Sequence, residues 1–200
     1  MKVTAKSTLT AISGRRLSLA VEAYNEKEKI GEGTHERVII LKERFSKGSP
    51  VEERLKALGL ELPEPSKPVG NYLPALLSQG LLFISGQIPR IQGQLKYTGK
   101  IGADLTPEEG YQAARLCALS SLSAAKQAVG DLGKIRRVVR VAGFVRSAEG
   151  FSGQPSVVNG ASDLFVELLQ DQGKHARIAV GVNELPAGSA VELEVVFEVG

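Results

Sequence analysis

The stretch His175–Glu198, HARIAVGVNELPAGSAVELEVVFE, decides how the rest of the chain is read. An arginine, Arg177, heads an apolar run that stops at Leu185-Pro186-Ala187-Gly188. A second run follows, in which Val191, Leu193, Val195 and Phe197 alternate with Glu192, Glu194, Val196 and Glu198. A period of two, broken by Pro and Gly, is the mark of two half-buried strands. The pair Arg177 and Glu192 carries the chemistry. A guanidinium is a permanent cation with a planar fork that fits a carboxylate or phosphate, and a carboxylate can move a proton or hold a water. Because the two strands are consecutive, the pattern predicts that both side chains sit near one pocket.

Working upstream, Ser156 to Gln172 predicts a helix with Val157, Ala161, Leu164, Phe165, Leu168 and Leu169 as its apolar stripe, stopped by Gly173. Ile135 to Arg146 predicts a strand, with Val139, Val141, Gly143 and Val145 on one face and Arg136, Val138, Arg140 and Ala142 on the other. Thr106-Pro107-Glu108-Glu109 is a complete helix start: a capping Thr, Pro at the first helical position and Glu three residues after the cap. That helix is expected to run to Val129, ahead of Gly130, and to hold the single cysteine, Cys117, as a small core residue. Leu81 to Ser85 is a short buried strand followed directly by Gly86, and Gly93 to Gly102 is a polar loop or a hairpin. Two helices on one face of a mixed sheet make the fold class α+β.

Further upstream the character changes. Residues 2–12, 17–23 and 30–41 alternate as three strands joined by turns at 13–15 and 25–29, an antiparallel β-meander, with a helical turn over 42–47. Pro50 opens a short helix over 51–58, with Glu52 and Glu53 in its first turn, and residues 62–68 (LPEPSKP) read as an extended Pro-rich linker. The expected organisation is therefore a meander over 1–47, a short helix and linker over 48–68, and a main domain over 69–200.

The totals exclude several classes. One cysteine rules out an intramolecular disulfide and fits a reducing, cytoplasmic setting, and with two distant histidines it leaves no zinc site and no expected metal. No apolar run reaches the roughly 20 residues a membrane helix needs, and no leader peptide is read at the start. The net charge of +3 belongs to residues 1–47, which carry ten Lys/Arg and six Asp/Glu; residues 48–200 carry fifteen and sixteen. Nucleic-acid binding wants a concentrated basic patch, so no nucleic-acid partner is expected for the main domain. No phosphate-binding glycine loop and no Ser-His-Asp set can be argued from spacing.

Three separated blocks, SGQIPR (85–90), VVNGASDLF (157–165) and ARIAVGVNELPAGSAVELE (176–194), resemble the signature blocks of the reactive intermediate deaminase A (RidA), or YjgF, family over roughly residues 62–199. That resemblance implies a chorismate-mutase-like α+β fold and homotrimers with active sites in clefts between subunits. It further implies cofactor-independent hydrolysis of small 2-imino or enamine acids, such as 2-aminoacrylate, to the keto acid and ammonia. Matched residue by residue, Arg177 takes the place of the arginine that anchors the substrate carboxylate, and Glu192 that of the glutamate that positions water. Asn159, Ser85, Gly86 and Tyr72 match residues beside the ligand. The sequence departs from the pattern at Ala179, where the family has a cysteine, at His175, where a small or apolar residue is usual, and in a longer segment between Tyr72 and Leu81. A trimer that binds small carboxylates without turnover is the alternative, followed by endoribonuclease activity.

Residues 1–45 resemble a different family. The GRRLS turn and the IGEGTHERVII strand look like the C-terminal half of a hot-dog-fold fluoroacetyl-CoA thioesterase. That family's catalytic threonine, glutamate and histidine lie upstream of the matching region, so no thioesterase site is expected here, and Arg37 and His35 are given no catalytic role.

Overall fold

A computed structural model describes residues 2–14, 16–38, 49–66 and 68–200. The chain divides into two compact units, Met1–Lys47 and Gly48–Gly200. The helical turn expected over 42–47 and the end of the third predicted strand lie outside the described residues.

The first unit is an antiparallel meander of β1 (Thr4–Ser13), β2 (Arg16–Tyr24) and β3 (Lys29–Val38), in that order in the sheet. Asn25 makes the second turn, its Oδ1 accepting from the backbone N–H of Lys27 and Glu28. The sheet is a mixed polar and apolar ribbon whose outer strands are exposed and whose middle strand is half-buried.

The second unit opens with α1 (Pro50–Ala57). Ser49 caps it and Glu52 returns the hydrogen bond to the cap's N–H, a complete capping box. Val51 and Leu55 are buried in the core, with Leu60 and Leu62 packed against it. Residues expected to be a linker thus belong to the body of the domain. The sheet consists of β4 (Ala75–Ser78), β5 (Leu81–Gln87), β8 (Ile135–Arg146), β9 (Ala176–Val182) and β10 (Val191–Val199), in the order β4-β5-β10-β8-β9. Only the β8–β9 pair is parallel. A two-stranded hairpin, β6 (Arg90–Ile91) and β7 (Gln94–Leu95), forms just ahead of and within the start of the segment expected as a loop or hairpin.

Helices α2 (Pro107–Val129) and α3 (Gln154–Leu169) cover one face of the sheet. The start of α2 is as the sequence predicts: Thr106 accepts from the N–H of Glu109, and Glu109 accepts from the N–H of Thr106. Small buried residues, Ala114, Cys117, Ala118 and Ser121, let α2 lie close on β10, and the Cys117 thiol donates to the Val191 carbonyl. Burial pushes that thiol well above its ordinary pKa, so it is inert packing. Where α2 meets α3 there is no room for a side chain. A Cβ on Gly160 would stand 2.8 Å from the Tyr111 carbonyl carbon and closer still to its oxygen. Phe165 of α3 and Phe197 of β10 meet edge to face, ring centres 5.8 Å apart, at the centre of the core.

Two sequence expectations shift. Helix α3 starts two residues earlier than predicted and ends at Leu169, and Gln170–Gly173 is a separate 3-10 turn. On β8 the alternation breaks: Val138 is buried opposite Phe197, and Val139 is only half-buried. A register irregularity between Val196 and Phe197 adds a residue on β8 and reverses the facing of its first half.

Candidate functional site

In the sheet, β8 lies between β9 and β10. Arg177 is opposite Val141, whose side chain is buried beneath the helices; Glu192 is opposite Phe144, three positions further along β8. With a period of two, residues 141 and 144 face opposite ways. Arg177 and Glu192 of one chain are therefore separated by a strand and directed to opposite faces of the sheet. The expectation that consecutive strands bring them to one pocket is corrected by this topology: adjacency in sequence did not become adjacency in the sheet.

Each residue heads its own half-site. Glu192 lines a cleft of about 680 Å³ on the face away from the helices, together with Gly86, Gln87, Tyr72 and Arg90. The Glu192 carboxylate lies where a side chain of residue 86 would project: a Cβ on Gly86 would be 2.9 Å from its Cδ and closer to Oε1. Glycine at 86 is thus a requirement of the site. Glu192 is half-buried, and burial raises its pKa above the ordinary carboxylate value. Ser85, expected beside the ligand, donates its hydroxyl to the Leu73 carbonyl at 2.6 Å and ties β5 to the segment that presents Tyr72. One wall of the cleft comes from Pro63, Glu64, Pro65 and Ser66, the stretch expected to be a linker. The Ser123 hydroxyl donates to the Pro63 carbonyl at 2.5 Å and fastens that wall to α2.

Arg177 heads the second half-site, with Asn159 and Ser162 of α3. Three residues apart, these two share one face of the helix. Nη1 of Arg177 donates to Asn159 Oδ1 at 2.7 Å and to Ser162 Oγ at 3.1 Å. Both hydrogens of one terminal nitrogen are engaged, and among the described residues no hydrogen bond or ion pair takes Nε or Nη2. The exposed guanidinium is therefore held by one corner, with a free Nε/Nη2 edge of the shape that forks a carboxylate. His175 stands behind it, with Nε2 3.0 Å from Ser162 Oγ and Nδ1 2.6 Å from the Gly173 carbonyl. Arg140, a candidate anion ligand by its place on β8, is paired with Glu194 at 3.1 Å instead. Ser162 was not singled out by sequence reasoning; its spacing from Asn159 on a helix was the available signal. Arg90 was visible only as the last residue of the SGQIPR block, and the Pro63–Ser66 wall gave no signal. Among the described residues no group of His, Cys, Asp and Glu is placed to hold a metal, and no helix is long and apolar enough to cross a membrane.

Comparison with known proteins places this architecture. Residues 52–198 match the family model described as "YjgF/chorismate mutase-like, putative endoribonuclease". The chain belongs to the YjgF/RidA family. Protein TCP17 of Trypanosoma cruzi is 43% identical over 149 residues, covering 74% of this chain and 93% of that protein. A crystal structure of an Agrobacterium tumefaciens protein of unknown function is 42% identical with a TM-score of 0.71, over 76% of this chain and 93% of that one. A RutC family protein of Aquifex aeolicus is 29% identical over 138 residues, 68% of this chain and 95% of that protein. The YjgF/RidA region begins inside α1, so the Pro63–Ser66 wall lies within it. Residues 1–43 match a second model, that of the fluoroacetyl-CoA-specific thioesterase. The corresponding enzyme of Streptantibioticus cattleyicolor is 44% identical over 46 residues, 23% of this chain and a third, 33%, of that enzyme.

Proposed function

We propose that the protein is a hydrolytic deaminase of small 2-imino or enamine acids, in which Arg177 of one copy anchors the carboxylate and Glu192 of a second copy activates water. The observation that carries this reading is the division of the site. A forked cation with a free edge and a half-buried carboxylate beside a cleft are the two groups the reaction needs, and one chain holds them on opposite faces of its sheet. A homotrimer with clefts between subunits is the assembly that joins them. The sheet face away from the helices supports it: Leu76, Phe83 and Ile178 are 54%, 42% and 44% exposed there, an apolar surface of the kind that subunits cover.

In the proposed reaction the planar carboxylate of the iminium acid lies on Nε and Nη2 of Arg177, which fixes C2 of the substrate. Glu192 accepts a proton as water adds to C2, giving a carbinolamine. The proton returns from Glu192 to nitrogen, the C–N bond breaks as the hydroxyl passes its proton to the Glu192 carboxylate, and ammonia and the keto acid leave, ammonia taking up that proton as ammonium. A carboxylate whose pKa is raised by burial is a better-matched base near neutral pH than an ordinary one. Tyr72 lines the same cleft, and Gly86 leaves room for the Glu192 carboxylate. Neither cofactor nor metal is called for by this scheme. The endoribonuclease activity named for a 38% identical Shewanella oneidensis structure (TM-score 0.73) fits residues 48–200 less well, since their Asp and Glu outnumber Lys and Arg by sixteen to fifteen.

The test is ammonia and keto acid release from freshly generated 2-aminoacrylate, comparing the intact protein with Arg177→Ala. Acceleration by the intact protein, lost in a folded variant, is expected. Absence of acceleration by the intact protein moves the assignment to a carboxylate-binding trimer without turnover.

A further inference from the structure

We infer that Ser162 and His175 form a positioning pair for Arg177: His175 accepts the hydrogen bond of the Ser162 hydroxyl, so the Ser162 oxygen is left as an acceptor that pins the guanidinium with its free edge toward the ligand.

The direction of each hydrogen bond follows from what each atom can do. A backbone carbonyl only accepts, so His175 Nδ1, 2.6 Å from the Gly173 carbonyl, carries the ring proton. In the neutral ring Nε2 is then a bare acceptor. The Ser162 hydroxyl, 3.0 Å away, has one proton and donates it there. Its oxygen is left with lone pairs only, and Arg177 Nη1 donates into them at 3.1 Å. The second hydrogen of Nη1 goes to Asn159 at 2.7 Å. Burial, first, and the Arg177 charge both lower the His175 pKa and outweigh the Gly173 hydrogen bond, which raises it; the ring stays neutral near pH 7. The Phe165 ring, edge to face at 6.0 Å, backs the imidazole. Without His175 the Ser162 proton is free to turn toward Arg177, where it repels the cation. Without Ser162 the guanidinium keeps a single tether and can rotate about it.

The role in ligand binding rests on the reading that Arg177 holds a carboxylate, and the test separates the two. First, nitrogen NMR of the intact protein reads the His175 tautomer in wild type, Ser162→Ala and Ser162→Thr, and the motion of the Arg177 guanidinium in these and in His175→Ala. Second, the same proteins are titrated with pyruvate and with its neutral amide. We expect the proton on Nδ1 of His175 and a pinned Arg177 in wild type and Ser162→Thr. Arg177 should become mobile in Ser162→Ala and His175→Ala, with pyruvate affinity down about tenfold in each and amide affinity unchanged; a tenfold loss corresponds to one ordinary hydrogen bond. The double variant should be no worse than Ser162→Ala alone, because the two residues act in one chain. A proton on Nε2, or an Arg177 equally immobile in Ser162→Ala, overturns the inference whatever the ligand data show. If Arg177 is pinned as described and wild type binds no pyruvate, the carboxylate reading is what fails, and with it the ligand half of this inference.

Discussion

Replacing Gly86 by Ala separates the fold from the proposed chemistry. The added methyl would lie 2.9 Å from Glu192 Cδ and nearer still to Oε1, where carbon atoms in contact prefer about 3.5–4.0 Å. Something must move by about 1 Å, and the neighbour that can move is the end of a flexible side chain. Swinging the carboxylate aside costs little in folding, on the order of 1 kcal/mol or less for an off-ideal rotamer. The same displacement is expensive for a group that must meet a water and a carbon: about 1 Å of misplacement can lower the rate on the order of a hundredfold, a barrier increase of about 2.7 kcal/mol. The expected result in the 2-aminoacrylate assay is a kcat reduced about a hundredfold, with KM and the thermal midpoint close to wild type. Gly160→Ala is the control. There the methyl meets the Tyr111 backbone carbonyl, 2.8 Å from its carbon, and a packed helix cannot swing aside, so the protein should fail to fold or lose several kcal/mol, beyond about 3 kcal/mol for an overpacked core. Full activity in Gly86→Ala would refute the placement of Glu192 over Gly86 as the working arrangement. Unfolding of Gly86→Ala would refute the claim that only a side-chain end stands in the way.

Three further outcomes follow from the same geometry. Glu192→Gln should stabilise the folded protein at neutral pH: a carboxylate whose folded pKa is raised by burial binds its proton more tightly when folded, so ionisation costs stability above that pKa. The gain should shrink as pH falls through the raised value and vanish below the ordinary carboxylate range, and a gain that grows with acidity would contradict it; paired melts across pH 3–8 read this. Phe197→Ala removes a fully buried ring and its edge-to-face partner Phe165, and should cost about 3–5 kcal/mol by urea unfolding, against less than 1 kcal/mol for an exposed site. Thr106→Ala, which breaks the capping box of α2, should cost about 1 kcal/mol, with activity unchanged.

How much of this was legible in the sequence depended on whether the signal was local. The cap and capping box of α2 were read from four residues because that hydrogen bonding closes within one turn. The alternation of β10 and the span of β8 were read for the same reason: burial on one face imposes its period on the chain itself. Strand order leaves no such local trace. Placing β8 between β9 and β10 is a choice of long-range pairing, and it moved Arg177 and Glu192 to opposite faces although both had been picked out by residue type. The facing of Val138 and Val139 was misread because an extra residue in the ladder is invisible in an all-apolar run. The Pro-rich 62–68 segment has the composition of a linker, yet Leu62 packs on the core and Pro63–Ser66 form a wall of the cleft; composition reports stiffness, not what lies beneath. Asn159 and Arg177 do meet, at 2.7 Å, while Ser162 went unnoticed because its spacing from Asn159 marks a shared helix face but not which strand residue that face meets.

In the proposed assembly, Arg177 and Glu192 act together only across two copies. Arg177→Ala and Glu192→Gln should each be inactive alone. In a cyclic trimer, a mixed assembly restores one site in three, because one interface pairs the intact Arg177 of one variant with the intact Glu192 of the other. After unfolding and refolding the two variants together in equal amounts, random mixing predicts a return to about a quarter of wild-type activity per subunit. Native mass spectrometry confirms that mixed trimers have formed. Recovery near that level is expected. Mixed trimers as inactive as their parents would contradict it, because no site would then draw its arginine and its glutamate from different chains.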